Sequence, residues 1–284
     1  MCTISWLRRD DGFDLMCNRD ERHSRKRAFA PAMDRLRGVS FISPKDGDHG
    51  GTWIGVNQFG VALCLLNRYE AEKTCRGDRL WSPLLEKPFC LKESTSLQTG
   101  AGTEAPPLQE FQSSISYTSR GLLVKNLLDA SSLIEALSRV EGEDLSRFQP
   151  FTLVALEPGE NCLMIEWTGR ELLTGDGEQS MPLVSSSFDP SGARSARKET
   201  FEKLARSSCG VDAQMLMSFH QSHAPARGPL SPCMHRDDAR TVSFSHIKVA
   251  ADSISFFYFA DSPCQASFEN ADEAIKLERS KRAR

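Results

Sequence analysis

An α+β layered domain, two mainly antiparallel sheets face to face with helices outside, is what this chain predicts, and three features carry the prediction. Strand-like segments dominate and fall in two blocks with helical segments between them. The early strands are joined by short turns, Asp10-Asp11-Gly12 and Asn57-Gln58-Phe59-Gly60, and short turns make neighbours antiparallel. The helical segments carry start signals, Ser132 three residues before Glu135 and Asp212 before an apolar run. With 39% hydrophobic and 26% charged residues over 284 positions, the chain has the apolar content of a packed globule.

The elements follow in order. Residues 3–8 and 13–18 alternate as strands about the Asp-Gly turn. Gly50-Gly51 marks a sharp entry or a close backbone approach before the second pair, Thr52–Val56 and Val61–Leu66. Residues 88–118 turn polar and rich in Ser, Thr, Gln, Gly and Pro, which reads as a flexible surface insertion. Arg120–Leu128 is helical, and the box opened by Ser132 predicts a helix with Ile134, Leu137 and Val140 on its inner face. Strands are expected at Phe151–Leu156, Cys162–Trp167 and Pro182–Ser186, then helices at Ala193–Arg206 and Asp212–Phe219. Thr241–Val249 and Ser253–Ala260 close the second block, with Phe256-Phe257-Tyr258-Phe259 suiting a strand buried on both faces. The domain is expected to span 1–270, and residues 271–284 to form a charged tail, a frayed helix at most.

Composition narrows function. The formal charge of −3 shows no basic excess, so no nucleic-acid partner is expected. The longest apolar run, Val61–Leu66, is far short of a membrane span, and Arg8, Arg9, Asp10 and Asp11 interrupt the apolar start as no secretory signal would be. Nine scattered cysteines without a CxxC pair read as reduced thiols of a cytoplasmic protein.

One position stands out. Cysteine follows the initiator methionine, and the first hairpin returns to Asn18-Arg19-Asp20-Glu21. Paired residues of an antiparallel hairpin sum to a constant. A loop at Asp10-Asp11 sets Cys2 opposite Arg19, one at Asp11-Gly12 sets it opposite Glu21, and a three-residue loop opposite Asp20. Each register brings the polar quartet beside Cys2. Removal of Met1 leaves a residue with both a thiol, pKa about 8.5, and an α-amine, pKa about 8. Nucleophile and general base then share one residue. An arginine nearby favours the thiolate, an aspartate holds the α-ammonium, and an asparagine orients the turn or donates to substrate.

The residues Met1-Cys2-Thr3-Ile4, Asn18-Arg19-Asp20-Glu21, Gly50-Gly51-Thr52-Trp53-Ile54-Gly55 and Gly60-Val61-Ala62 with Asn67 resemble the Asn-Arg-Asp-Glu (NRDE) family, also called the transport and Golgi organisation family. Weaker similarity runs through Ser119-Arg120-Gly121, the Phe151 strand and Arg240-Thr241-Val242. That family is similar in turn to the cysteine branch of the N-terminal-nucleophile (Ntn) hydrolases, which includes penicillin V acylase and bile salt hydrolase. The resemblance implies a four-layer αββα Ntn-hydrolase-like sandwich and chemistry at a non-peptide amide C–N bond. It implies Cys2 as nucleophile, Arg19 steadying thiolate and substrate, Asp20 binding the α-amine, Asn67 as oxyanion donor and Arg240 as a late active-site arginine. Where the hydrolases carry a second asparagine, this chain reads Leu183-Val184-Ser185-Ser186-Ser187, and Ser186 is expected in its place. Asn18 and Arg236 are expected to border the substrate. The resemblance also implies an alternative, a non-catalytic protein that binds or traffics haem or a lipid. The partner expected on the first reading is a small-molecule amide or acyl donor.

His220, His223, Cys233 and His235 have metal-capable side chains, but prolines intervene and no standard spacing matches, so they read as helix-end and loop residues. No metal or other cofactor is expected. Cys17 reads as a core thiol, and Ser24-Arg25-Lys26-Arg27 as a solvated loop able to meet an anionic group.

Overall fold

The computed structural model describes residues 2–69, 117–208, 210–265 and 274–280. Residues 88–116 of the expected insertion lie outside the described residues. The first hairpin is β1 (Cys2–Arg9) and β2 (Gly12–Arg22), and a second, β3 (Phe29–Leu36) and β4 (Val39–Lys45), follows at once. The next strands are β5 (Ile54–Asn57) and β6 (Ala62–Asn67), then β7 (Phe151–Leu156), β8 (Leu163–Trp167), β9 (Leu172–Asp176) and β10 (Leu183–Ser185). The last three are β11 (Ala239–Val249), β12 (Ser253–Phe259) and β13 (Ile275–Glu278). The helices are α1 (Arg120–Leu127), α2 (Leu133–Glu141), α3 (Pro190–Ser207) and α4 (Ala213–Gln221).

One sheet has the order β10-β1-β2-β11-β12-β13 and the other β3-β4-β5-β6-β7-β8-β9. Period-two alternation sorts their side chains into three layers of core. Ile4, Trp6, Leu15 and Cys17 from the first sheet meet Ile54, Val56, Cys64 and Val154 from the second between the sheets. Met16 and Phe244 turn outward onto Phe201 of α3 and Leu216 and Phe219 of α4. Leu63, Leu65 and Leu153 turn outward onto Leu123 and Val124 of α1 and Val140 of α2. The result is an αββα sandwich. No helix among the described residues is long and apolar enough to cross a membrane.

Several expectations need correction. β3, β4 and β9 were not foreseen, and β13 lies within the expected tail, where it pairs with β12 as a strand instead of fraying as a helix. The capping residue of α2 is as expected, Ser132 accepting from the Glu135 amide at 3.0 Å, but Ile134 is 81% exposed and the helix buries Leu133, Ala136 and Val140. β12 is not buried on both faces: Phe256 is, while Phe257, Tyr258 and Phe259 are half-buried near the sheet margin.

Gly51 has a local reason that positions the site. A Cβ there would lie 2.3 Å from the carbonyl carbon of Gly121, and Thr52 N donates to Gly121 O at 2.9 Å. Only a glycine lets the entry to β5 rest directly on the first turn of α1.

Candidate active site

The register of the first hairpin is the one with Asp10-Asp11 as its loop: Cys2 faces Arg19 on one side and Ser185 of β10 on the other. Alternation then splits the polar quartet. Cys2, Cys17, Arg19 and Glu21 serve the face between the sheets, whereas Thr3, Ser5, Asn18 and Asp20 serve the helix side.

On the inner face lies a cavity of about 330 Å³, with Cys2, Arg19, Arg25, Asp46, Trp53 and Asn67 in its wall. Arg19 is buried and fixed from three directions. Its Nη2 meets Asp46 Oδ2 at 2.6 Å and Glu21 Oε1 at 3.4 Å, and its guanidinium lies 4.1 Å over the Trp53 ring. Arg25 extends the network to Asp46 at 2.8 Å and Asp48 at 2.9 Å. Asp46 also shapes its own loop, because Oδ1 accepts from the amides of Asp48 and His49. From the opposite sheet comes Asn67, at the end of β6. Its Nδ2 donates to Tyr69 Oη at 3.0 Å, and its main-chain oxygen accepts from Ser185 Oγ at 2.6 Å, a bond that ties the two sheets together beside Cys2.

Cys2 is 8% exposed. A hydrogen bond to Cys17 and then burial push its pKa well above the usual thiol range, and the nearby Asp20 carboxylate adds to the rise. Arg19, expected to steady the thiolate, lies in the same wall and is itself engaged by Asp46 and Glu21.

The other expected site residues are dispersed. Asp20 is fully buried on the helix side, where Oδ1 accepts from Thr241 Oγ1 at 2.6 Å and Oδ2 pairs with Arg197 at 3.3 Å. Asn18 is a correction: it is fully buried on that side too, its Nδ2 donating to the carbonyls of His220 and Pro232, both at 2.9 Å, so it does not border the cavity. The residue across from Cys2 is Ser185; Ser186 lies one step beyond the strand, where its Oγ accepts from the Phe188 and Asp189 amides before α3. Arg240 pairs with Asp261 at 2.8 Å and lines a neighbouring hollow, two strands from Cys2. Arg236 lies over Phe188 and pairs with Asp238 outside the cavity wall. Sequence reasoning missed Asp46, Ser185 and Arg197, whose roles depend on the register and on loop geometry. Trp53 stood in a quoted segment without a site role, and Arg25 only in a loop read as able to meet an anionic group. His220 turns into the core, whereas His223, Cys233 and His235 gather with Cys264 on the helix side.

Residues 1–83 match the family described as Transport and Golgi organisation 2. No curated protein sequence matches the chain. Among solved structures, the chain is similar to a Caenorhabditis elegans ortholog of N-acylethanolamine-hydrolyzing acid amidase, at 12% identity and TM-score 0.48, covering 87% of this chain and 92% of that one. It is similar to the C2A mutant of conjugated bile acid hydrolase from Clostridium perfringens, at 11% identity and TM-score 0.48, covering 98% and 92%. It is also similar to penicillin V acylase from Agrobacterium tumefaciens, at 10% identity and TM-score 0.44, covering 90% and 82%. The fold itself rests on the strand order and the layers described above.

Proposed function

We propose that the protein is an N-terminal-nucleophile cysteine hydrolase or acyltransferase acting on a non-peptide amide C–N bond after removal of Met1. The observation that carries this reading is the register that sets Cys2 against Arg19 in the wall of a cavity that Asn67 also lines. The thiol proton needs a local acceptor, and the freed α-amine of Cys2 is that acceptor. The sulfur then attacks the substrate carbonyl carbon. The oxyanion is met by the Asn67 side-chain amide and a backbone N–H, and the α-ammonium returns its proton to the leaving amine. Water, or an acceptor amine, attacks the thioester carbonyl and regenerates the thiol. Asp20, whose charge already reaches Cys2, holds the α-ammonium, and Ser185 positions Asn67.

A second reading, a carrier of haem or a lipid, is favoured by one observation: Arg19, the cation beside Cys2, is already paired with Asp46 and Glu21. Intact-mass analysis after treatment with an activated acyl probe separates the two. Expected on the first reading are chains lacking Met1 and acylated at Cys2, with labelling rising through the α-amine pKa near about 8. Asn67→Ala slows acylation by about 10²–10³-fold, and Cys2→Ala abolishes it. Met1 retained in every molecule, or a Cys2 inert to the probe, overturns the enzymatic reading.

A further inference from the structure

We propose that His223, Cys233, His235 and Cys264 form a structural Zn²⁺ site on the helix side of the first sheet, remote from the cavity in purpose and in facing. The four side chains come from three separate segments: the stretch just after α4, the loop before β11, and a short turn after β12. Their ligand atoms all lie within 4.8 Å of one another.

The three separations that meet at His235 Nε2 are close to the edges of a coordination tetrahedron. With Zn–N of about 2.05 Å and Zn–S of about 2.3 Å, the edges of a tetrahedral N₂S₂ site are about 3.3 Å for N···N and about 3.6 Å for N···S. The observed values are 3.2 Å between His223 Nε2 and His235 Nε2, 3.4 Å from Cys233 Sγ to His235 Nε2, and 3.6 Å from Cys264 Sγ to His235 Nε2. Two neutral imidazoles and two thiolates around a divalent cation sum to zero charge, which suits a site whose Cys233 is fully buried. Soft N₂S₂ donors in this geometry select zinc over magnesium or calcium. Four protein donors leave no open position, so the ion is structural. Beyond the hydrogen bonds among the ligands themselves, one contact must change on loading. Arg227 Nη2 lies 3.4 Å from His235 Nδ1, and an imidazole bound through Nε2 keeps its proton on Nδ1, so the exposed Arg227 turns away.

What the ion would clamp is the loop between α4 and β11. That loop is already tied to β2 by the two quartet residues that face away from the cavity. Asn18 donates to the carbonyls of His220 and Pro232. Asp20 accepts from Thr241 Oγ1, which in turn accepts from the Met234 amide at 2.8 Å. Arg19 and Glu21 thus belong to the cavity, while Asn18 and Asp20 hold the ligand loop beneath it.

The test uses the full chain. Purified under reducing conditions, stripped with chelator and reloaded with Zn²⁺ alone, it is expected to retain about one zinc per chain after dialysis, with a melting temperature above that of the stripped protein. Co²⁺ in place of zinc is expected to give intense tetrahedral d–d bands and thiolate-to-metal charge transfer, a reading that needs no variant. Cys233→Ser with Cys264→Ser is expected to lose the metal, and His23→Asn to keep it. Retention far below one zinc per chain, or octahedral Co²⁺ spectra without a thiolate band, overturns the site. So does stoichiometric zinc undiminished in the double variant. A Cys233–Cys264 disulfide in the freshly isolated, non-reduced chain with no metal bound also overturns it. None of these results depends on whether Cys2 is acylated, so the two proposals fail separately.

Discussion

Arg197 is the residue on which the quartet's helix-side chemistry depends. It is fully buried in α3, meets Thr3 Oγ1, and pairs with an Asp20 that is equally buried. Removing one member of a buried ion pair leaves the other charge uncompensated, at a cost of about 3–5 kcal/mol. Arg197→Met is therefore expected to lower unfolding free energy by about that amount in urea titration, and adding Asp20→Asn is expected to restore part of it. A single variant within about 1 kcal/mol of the parent would show that Asp20 finds another counter-charge. Nothing in the sequence marked Arg197, because an arginine in a polar helix looks solvated until its partner is known. The quartet was legible as a neighbour of Cys2, but its division between two faces was not. Three registers were open, and a one-residue slip exchanges every side chain between faces.

At the level of elements, legibility followed the strength of alternation and turn chemistry. The Asp10-Asp11 hairpin, the Asn57–Gly60 turn and the Asp212 cap, which accepts from Met215 N at 2.7 Å, were readable because each is fixed by local chemistry. β3 was not readable. It runs along the sheet edge with Pro31 buried, Leu36 half-buried and its remaining side chains exposed, so no apolar alternation exists to detect. Its turn uses Arg37 at φ 46° and Gly38 at φ 88°, a positive-φ pair that Asn-Gly would have announced and Arg-Gly does not. The Gly50-Gly51 signal was read correctly, and it carries a prediction. Gly51→Ala places a methyl 2.3 Å from the Gly121 carbonyl carbon, where only backbone can yield. The expected loss is about 1–3 kcal/mol, seen in the melting temperature. Acyl labelling of Cys2 is expected to slow as well, since Thr52 and Gly121 both line the cavity. An unchanged melting temperature would mean that α1 shifts freely against β5.

For the molecule as a whole, two sheets and two helical layers were legible, because their apolar faces cannot be buried in fewer layers. What the sequence withheld was which polar groups the layers enclose, and His220 is the case with a measurable consequence. It sits where α4 meets the first sheet, fully buried, with Nε2 at 2.8 Å from Ser5 Oγ and Phe219 and Phe244 against its ring. Burial, aided by the charges of His246 and Arg197, pulls its pKa from 6.5 down to about 3. The folded state therefore binds fewer protons than the unfolded state between those values. Its contribution to stability is complete above pH 6.5 and declines as pH falls toward about 3. At 1.36 kcal/mol per pH unit, roughly 3 kcal/mol is lost by about pH 4. Asp14, held low by His246 and Arg9 against its own burial, weakens the fold in the same direction but only as pH falls below its ordinary 3.8. The two are separable by window. Urea midpoints from pH 7 to 4 are expected to fall in the parent and to stay much flatter in His220→Gln, which cannot gain the proton. Parallel curves for the two proteins would mean that protonation is accommodated without opening the helix-to-sheet layer, and that the acid sensitivity of the fold originates elsewhere.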